Sequence, residues 1–375
     1  MITRIILLAI SFQLAAFSCF AQQQNFVRVL IIKDTRSLSL KLLGSYEIID
    51  SGDNKILSSG INLRTTVVGY KDKILITGKN FSTDNILIKT KDTDAIIING
   101  RMFRGNIQLI KDSGFLTVIN QINLEDYIKG ILYHEASHFW PTEALKAQAI
   151  VCRTYALYQM QQNKSKDYDV TSDIYSQVYG GKTSERYRTN EAVDATSGEV
   201  LTYQNKVFPA YFHATCAGHT EDAAVLWNID ISPLKGVVCD YCKDSPHFNW
   251  HLVLDRGELR QRLVNAGYKM GVIKNIEILG KDKSGRITDL KIVTATKDLT
   301  IPAKDFRNVV GPNEIRSTNF TVNLAGQDAV FEGLGWGHGV GLCQWGAYFM
   351  AKQGKTADEI LKYYYPQSNV KTLGF

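Results

Sequence analysis

The chain has 375 residues, of which 45% are hydrophobic and 21% charged, enough for a sizeable core and about two domains. Its formal net charge is +6, but the Lys and Arg residues are spread along the sequence. This spread excludes the concentrated basic patch of a nucleic-acid-binding protein and leaves a mild attraction for anionic surfaces. We find no apolar stretch of about 20 residues, so the sequence predicts no transmembrane segment.

The first residues have the pattern of a secretory signal peptide. Arg4 precedes the apolar run Ile5–Leu8, and Ala21 supplies a small residue at the expected cleavage point. The sequence therefore predicts a signal peptide over residues 1–21 and an exported protein, periplasmic or associated with the cell envelope. Cys19 is an alternative lipid-attachment residue, which the bulky Phe17 disfavours.

Residues 22–122 form a predicted β-rich N-terminal module. Aliphatic runs such as Val27–Ile32 and Leu38–Leu42 are separated by turn sequences such as Ser51–Asn54. Such short runs between turns are typical of a small antiparallel module.

The sequence pattern changes at Leu124–Tyr127, and a helix is predicted to start near residues 136–140. Pro141 is favourable at a first helical position, and Leu145, Ala149, Cys152 and Ala156 then recur at helical spacing. This spacing predicts a helix with one buried face and places the thiol of Cys152 in the core.

The remaining residues alternate between strand and helix signals. Short strands and loops are expected over 169–212, a helix over 252–266 and strands over 273–301. Thr356 and Glu359 form a capping-box pattern ahead of a last helix. The predicted fold class is therefore mixed α+β: a strand-rich N-terminal module followed by a catalytic region, residues 123–375, with few helices.

Glu135 is the first candidate for chemistry. It is predicted to lie on a loop just ahead of the helix that Pro141 opens, with Phe139 and Trp140 close in sequence. Apolar neighbours disfavour an ionised carboxylate, which is the condition for donating a proton near neutral pH. From the residues alone, an ordinary surface glutamate is the alternative.

Two further segments combine glycines with groups that bind sugars. Gln177 and Tyr179 precede a Gly pair, and residues 335–347 place His338 and Gln344 among closely spaced glycines. Glycines let a backbone approach a ligand closely, while the aromatic and amide groups supply contacts. Tight structural turns are the alternative for both segments.

The cysteines suggest a metal. If the signal peptide is removed, five remain, and an odd number does not fit a fully paired disulfide framework. Cys216, His219, Cys239 and Cys242 have the spacing of a closed structural zinc site. A disulfide between Cys239 and Cys242 is the alternative in an oxidising compartment. The two other thiols, Cys152 and Cys343, have no ligand partners nearby in sequence.

Taken together, these segments resemble the SpoIID/LytB family. The resemblance covers about residues 124–366 and is carried by the following motifs: Leu124-x-x-Tyr127-x-x-Gly130; Glu135; Trp140-Pro141-x-Glu143-Ala144-Leu145-Lys146-Ala147-Gln148-Ala149; Arg153-Thr154-Tyr155-Ala156; Gln177-x-Tyr179-Gly180-Gly181; Ala195-x-x-Gly198; His213-Ala214-Thr215; and Gly337-His338-Gly339-Val340-Gly341-Leu342-x-Gln344-x-Gly346-Ala347.

The resemblance implies a peptidoglycan lytic transglycosylase that cleaves the β-1,4 bond between N-acetylmuramic acid and N-acetylglucosamine with one catalytic glutamate, Glu135. It implies glycan-binding roles for Gln177, Tyr179, His213, His338 and Gln344. Glu221 and Asp222 are reserve candidates for a second catalytic carboxylate, called the reserve carboxylates below. LytB-type relatives imply an alternative, a non-catalytic enhancer that binds wall glycan and stimulates a cell-wall amidase. A third hypothesis is a zinc hydrolase that activates water at Cys216, His219 and Cys239.

Overall fold

The computed structural model describes residues 26–90 and 96–374. The predicted signal peptide and Cys19 lie outside the described residues. The described residues form two compact units. The first unit contains residues 26–90, 96–139, 152–200 and 371–374, and the second contains 140–151 and 201–370. The predicted domain boundary after residue 122 falls inside the first unit, which continues beyond it.

An eleven-stranded sheet builds most of the first unit. Its strands are β1 (Phe26–Thr35), β2 (Ser37–Asp50), β3 (Ile56–Gly69), β4 (Ile74–Ile76), β5 (Lys79–Phe81), β6 (Asn85–Thr90), β7 (Ile96–Ile98), β8 (Arg101–Phe103), β9 (Asn106–Asp112), β10 (Phe115–Asn123) and β11 (Val170–Thr171). The main path runs β11-β1-β10-β9-β6-β2-β3-β4-β5, with β7 paired to β2 and β8. All these pairs are antiparallel except β1 with β11.

Alternating side chains explain this sheet. In β9, Ile107 and Leu109 are buried while their neighbours are less so, and in β6 Ile86 and Ile88 follow the same pattern. A period of two places alternate side chains on one face, which packs into the core. The strand-rich module predicted from the sequence is confirmed.

Helix α1 (Leu124–Glu135) follows β10 directly, so Glu135 ends a helix rather than lying on the predicted loop. Asn123 caps the helix, because its side chain accepts a hydrogen bond from the Glu125 N–H. The buried residues of the helix recur at helical spacing: Leu124, Tyr127, Ile128, Ile131 and Leu132. The cap and this spacing are the reasons for the correction.

Helix α2 (Thr142–Gln162) confirms the helix predicted after Pro141, and Cys152 is fully buried in it as expected. The boundary between the two units falls within α2, after Val151, so the C-terminal part of the helix belongs to the first unit. From its C-terminal half, the buried Arg153 makes two hydrogen bonds to Glu125, at 2.8 and 2.7 Å. This bidentate pair joins α2 to the first turn of α1 within the first unit.

The rest of the chain supplies these elements: α3 (Tyr187–Ala195), β12 (Glu199–Tyr203), β13 (Lys206–Val207), β14 (Phe212–His213), α4 (Ala223–Trp227), β15 (Asn249–Asp255), α5 (Arg256–Asn265), β16 (Ile273–Ile278), β17 (Asp289–Thr294), β18 (Leu299–Pro302), α6 (Ala303–Val310), β19 (Phe320–Ala325), β20 (Asp328–Leu334), β21 (Leu342–Cys343), α7 (Gln344–Lys352), α8 (Ala357–Tyr364) and β22 (Asn369–Thr372). The helix predicted over 252–266 is a strand and a helix, because Asp255 caps α5 and ends β15. The capping box of Thr356 and Glu359 is confirmed at α8.

The second unit has two hydrophobic cores. One surrounds the four cysteines Cys216, Cys239, Cys242 and Cys343 and includes buried residues of α7 and α8. The other lies among the sheets β15-β20-β19 and β16-β17-β18 and helices α5 and α6. None of the helices in residues 26–90 and 96–374 has the length and apolar character needed to span a membrane. The α+β class predicted from the sequence is confirmed.

Candidate functional site

Glu135 lies at the C-terminal end of α1, partly exposed. Its Oε1 accepts a hydrogen bond from the backbone N–H of Val178 at 3.2 Å. Val178 belongs to the segment between β11 and the Gly pair at 180–181, so the carboxylate connects the end of α1 to this segment. This hydrogen bond fixes the orientation of the carboxyl group.

Two buried tyrosines lie within electrostatic range of Glu135. Burial raises the pKa of Tyr127 well above 10, with smaller contributions from Cys152, Tyr155 and Glu135. Burial likewise raises the pKa of Tyr155, and the charge of Glu135 adds to the effect. Both hydroxyl groups therefore keep their protons at physiological pH.

Gln177 and Tyr179 are buried, each with 1% of its surface exposed. Gln177 Oε1 accepts from the Tyr127 hydroxyl at 3.1 Å, and its amide donates to the Cys152 carbonyl at 3.3 Å. The Tyr179 hydroxyl donates to Asn120 at 2.6 Å. The polar groups of both side chains are hydrogen-bonded inside the first unit. The two residues therefore hold Val178, which lies between them, in position to bind Glu135. The expected direct contact with sugar is not supported by their burial.

Gly130 allows this packing. A Cβ at this position in α1 would lie 2.5 Å from a ring carbon of Tyr179, closer than atoms can approach. The glycine in the middle of the helix therefore lets the tyrosine ring pack directly against the backbone of α1.

His213, in the second unit, is buried. Its Nδ1–H donates to the Val340 carbonyl at 3.1 Å, and its Nε2 is buried without a hydrogen-bond partner among the described residues. Burial lowers the pKa of His213 well below 6.5, and the neighbouring His338 and Arg286 lower it further. The imidazole is therefore neutral, with a free acceptor nitrogen.

His338 packs among aromatic rings, with its centroid 5.0 Å from that of Trp227 and 5.7 Å from that of His213. Its Nδ1 accepts from the Val340 N–H at 3.1 Å. Burial, followed by the charges of Arg307 and Arg286, lowers the pKa of His338 to about 3. The ring is partly exposed. It stays neutral at physiological pH.

Gln344 begins α7 and is buried. Its amide donates to Gln148 of α2 at 3.5 Å, within the second unit. This contact gives Gln344 a role in positioning the start of α7.

The reserve carboxylate Glu221 is buried in the second unit beside Asp282. The Ser284 hydroxyl lies 2.9 Å from Glu221 Oε2 and 2.6 Å from Asp282 Oδ1. Burial raises the pKa of Glu221 to about 7, and the hydrogen bond and charge of Asp282 add to the rise. The other reserve carboxylate, Asp222, caps α4 by accepting from the Ala224 N–H at 2.8 Å.

We expect Glu221→Gln to change how the stability of the protein depends on pH. Between about pH 4.5 and 7 folded Glu221 keeps a proton that the unfolded chain loses, so wild-type stability falls as pH rises through this window. Glutamine stays neutral. The free energy of unfolding of the variant minus that of wild type should therefore be about 2–3 kcal/mol larger at pH 8 than at pH 5. Urea unfolding of both proteins at both pH values measures this difference, and an equal difference at the two values would contradict the assignment.

Four cysteine side chains converge in the core of the second unit: Cys216, Cys239, Cys242 and Cys343. All four are fully buried, and their sulfur atoms lie within 4.8 Å of one another. The cysteines of the described residues are free thiols, so the alternative Cys239–Cys242 disulfide is absent there. Four sulfurs at this spacing could bind a metal ion.

Cys343 takes the place that the sequence assigned to His219. The ring nitrogen Nδ1 of His219 donates to the Thr220 carbonyl at 2.6 Å, and His219 is not a member of the group. Cys343 enters because β14 and β21 pair in parallel, with His213 opposite Cys343. The predicted Cys3His set is thereby corrected to four cysteines.

The surroundings of the cysteines fit a tetrahedral metal–thiolate centre. Zinc–sulfur bonds of about 2.3 Å require sulfurs about 3.8 Å apart, and Cys216 and Cys242 lie 3.5 Å apart. Cys343 Sγ accepts from the backbone N–H groups of Cys216 and Gly346, at 3.3 and 3.4 Å. The Tyr364 hydroxyl lies 3.1 Å from Cys239 Sγ. Such donors stabilise thiolates.

Arg286 is an important residue that the sequence reasoning did not identify. It lies in the connection between β16 and β17, and its side chain is buried. The guanidinium donates to the carbonyls of His219 and Cys216, at 3.0 and 2.9 Å. It also fills the space where a Cβ of Gly339 would lie. Arg286 therefore connects the segment with the first cysteine to the glycine-rich segment.

Comparison with known proteins shows the family to which this chain belongs. A family model described as "Stage II sporulation protein" (SpoIID) matches residues 112–203, which include Glu135, Gln177 and Tyr179. Stage II sporulation protein D of Bacillus subtilis is 32% identical over 272 residues, which cover 67% of this chain and 75% of that protein. The chain belongs to the SpoIID/LytB family.

Other relatives extend the similarity along the chain. An uncharacterised protein of Brachyspira hyodysenteriae is 35% identical over 344 residues, covering 91% of this chain and 92% of the relative. The amidase enhancer of Bacillus subtilis is 26% identical over 89% of this chain, but the match covers 53% of that longer protein. A second model, a domain of unknown function (DUF8618), matches residues 237–341. This SpoIID/LytB member therefore combines the segment that the SpoIID model matches with a region that matches a domain of unknown function.

Proposed function

We propose that this protein is a peptidoglycan lytic transglycosylase that cleaves the β-1,4 bond between N-acetylmuramic acid and N-acetylglucosamine, with Glu135 as its catalytic acid. The observation that carries the proposal is the position of Glu135 in a chain of this family. Its carboxyl group ends α1, is partly exposed, and is held by the Val178 N–H beside two protonated tyrosines. A fixed and accessible carboxyl group is what general acid catalysis requires.

One carboxyl group is sufficient for this reaction. Glu135 in its acid form donates a proton to the glycosidic oxygen as the bond to the anomeric carbon breaks. The resulting carboxylate accepts the proton of the sugar's own 6-hydroxyl as that oxygen bonds to the anomeric carbon. The product has a 1,6-anhydro end, and the proton has returned to Glu135. Hydrolases that use water usually need a second carboxylate for this task.

The Val178 N–H holds the carboxyl group in place during this cycle. It donates to Oε1 and so fixes the orientation of the side chain that gives and takes back the proton. Gln177 and Tyr179 hold the Val178 segment in place through their buried hydrogen bonds, so we assign both to positioning. His338, which is partly exposed, remains a proposed glycan-binding residue of the second unit. The burial of His213 does not support direct contact with sugar, and Gln344 positions the start of α7.

The proposal includes a zinc ion at Cys216, Cys239, Cys242 and Cys343. Four protein ligands complete the tetrahedral coordination of zinc and leave no open position for water, so the ion would be structural. This composition argues against a hydrolase that activates water at the cysteines. We further propose export to the periplasm or cell envelope, where the glycan substrate is found.

The test is digestion of purified wall glycan followed by mass analysis of the products. Anhydro-muramic ends are expected from the transglycosylase. Reducing ends would instead identify a muramidase, and intact strands would contradict both activities. Running the digest on strands with and without stem peptides shows which form is the substrate.

A second candidate function rests on the similarity to the Bacillus subtilis amidase enhancer. In that case the protein binds wall glycan and increases the activity of a cell-wall amidase without cutting the strands. Adding the protein to an amidase digest separates the two functions. Faster release of stem peptides, with no anhydro ends from the protein alone, would favour the enhancer.

A further inference from the structure

Among the described residues, Tyr175 is the most exposed of the large aromatic and aliphatic side chains, with 84% of its surface accessible, and Ile174 beside it is 66% exposed. Tyr175 lies three residues before Val178, whose N–H binds Glu135. Three residues span at most about 11 Å, so the tyrosine is displayed close to the candidate acid. An exposed aromatic side chain next to a reactive group indicates a binding surface.

The loop that carries Tyr175 is well ordered by its own hydrogen bonds. Asp173 Oδ1 accepts from the Tyr175 N–H at 3.0 Å and from the Thr171 hydroxyl at 2.7 Å. Ser176 Oγ accepts from the Thr171 N–H at 3.1 Å, and the Tyr179 N–H closes the loop on the Ser172 carbonyl. These bonds fix the backbone and leave the ring in solvent. The exposure is thus a property of a structured loop.

A second aromatic group follows Glu135 along the chain. Phe139 is 77% exposed, and its ring lies 3.9 Å from that of His138. His138 in turn lies 5.5 Å from Tyr133 of α1. The guanidinium of Arg186 stacks on Tyr133 at 4.4 Å. The rings therefore flank Glu135 along the chain, from Tyr133 before it to Phe139 after it, and they run from a cation to an exposed phenyl group.

We propose that Tyr175 and Phe139 form a sugar-stacking subsite that holds the glycan strand against Glu135, with Arg186 as the cation for a substrate carboxylate. This inference rests on the proposed function and names the residues that bind its substrate. Sugar rings present apolar C–H faces that pack on aromatic rings. N-acetylmuramic acid also carries an acidic side group, whose charge Arg186 complements.

This subsite differs from the one expected from the sequence. The tyrosine of the loop that faces solvent is Tyr175, whereas Tyr179 is buried. Because the two exposed rings come from separate segments joined at Glu135, a strand that packs on both is positioned over the carboxyl group. Orientation of this kind lowers the barrier to reaction.

The test is glycan binding measured by co-sedimentation with insoluble wall glycan in a Glu135→Gln background, which excludes cleavage. Tyr175→Ala should weaken binding about tenfold, and Phe139→Ala by a similar factor. Tyr175→Phe keeps the ring and should bind within about twofold of the parent. In the active protein, Tyr175→Ala should lower kcat/KM by about the same factor as it weakens binding.

The matched control is Tyr70→Ala, which removes an exposed tyrosine from the turn between β3 and β4 of the same unit. It should bind glycan as the parent does. Unchanged binding by both Tyr175→Ala and Phe139→Ala overturns the inference, even where the wild type releases anhydro products. Loss of binding by these two variants in a protein that cuts no glycan supports the subsite and contradicts the transglycosylase instead.

Discussion

Glu135→Gln should reduce glycan cleavage by about 10²–10⁴-fold while the protein stays folded and binds glycan. The substitution removes the proton that the leaving oxygen must receive and changes little else. The glutamine carbonyl oxygen can still accept the hydrogen bond from the Val178 N–H. Release of anhydro-muramic products per unit time, measured by mass analysis, gives the effect.

The control for this experiment is Glu191→Gln on α3 of the same unit, an exposed glutamate that accepts from the Tyr187 hydroxyl. It makes the same chemical change away from the residues proposed for catalysis, and it should cleave glycan at the wild-type rate. Melting temperatures of both variants should stay close to that of wild type. Wild-type cleavage by Glu135→Gln would disprove the assignment of the acid.

Sequence patterns predict the strand-rich N-terminal module and helix α2, since both depend on short-range periodicity of buried residues. Helix α1 was missed, although Asn123 and the spacing of Leu124, Tyr127 and Ile128 were visible signals. Gly130 in its middle is a poor helix former. Its value comes from the close approach of the Tyr179 ring, which no local pattern encodes.

The candidate site shows the same limit. A motif indicates that Gln177 and Tyr179 are important, but their chemistry alone cannot say whether the side chains face sugar or core. Burial assigns them to support and identifies Tyr175 as the exposed ring. Arg286 gave no signal in the sequence, because its contacts to the carbonyls of His219 and Cys216 cross more than sixty residues of chain.

The four clustered cysteines separate local from long-range information most clearly. Cys239 and Cys242 are recognisable from their spacing. Cys343 lies 101 residues after Cys242, and its approach to Cys216 depends on the parallel pairing of β14 with β21. Local spacing therefore favours the nearby His219, whereas the fold brings Cys343 from the glycine-rich segment to the other three cysteines.

Cys343→Ser should lose zinc and lower stability, whereas His219→Ala should keep one zinc ion per chain. The free energy of binding a structural metal adds to the free energy of unfolding, so removal of one ligand should lower the free energy of unfolding by several kcal/mol. For a unit of this size the melting temperature should fall on the order of 10 °C. Metal analysis of the purified proteins and thermal unfolding with and without a chelator measure both effects.

Cys152→Ser is the matched control, because Cys152 is also fully buried but lies outside the group of four cysteines. It replaces a buried thiol by a hydroxyl group in the same way and should retain the metal. Zinc retained by Cys343→Ser and lost by His219→Ala would restore the Cys3His set. A wild-type protein without metal would disprove the zinc centre and leave the role of Glu135 untouched, because the two proposals rest on residues of different units.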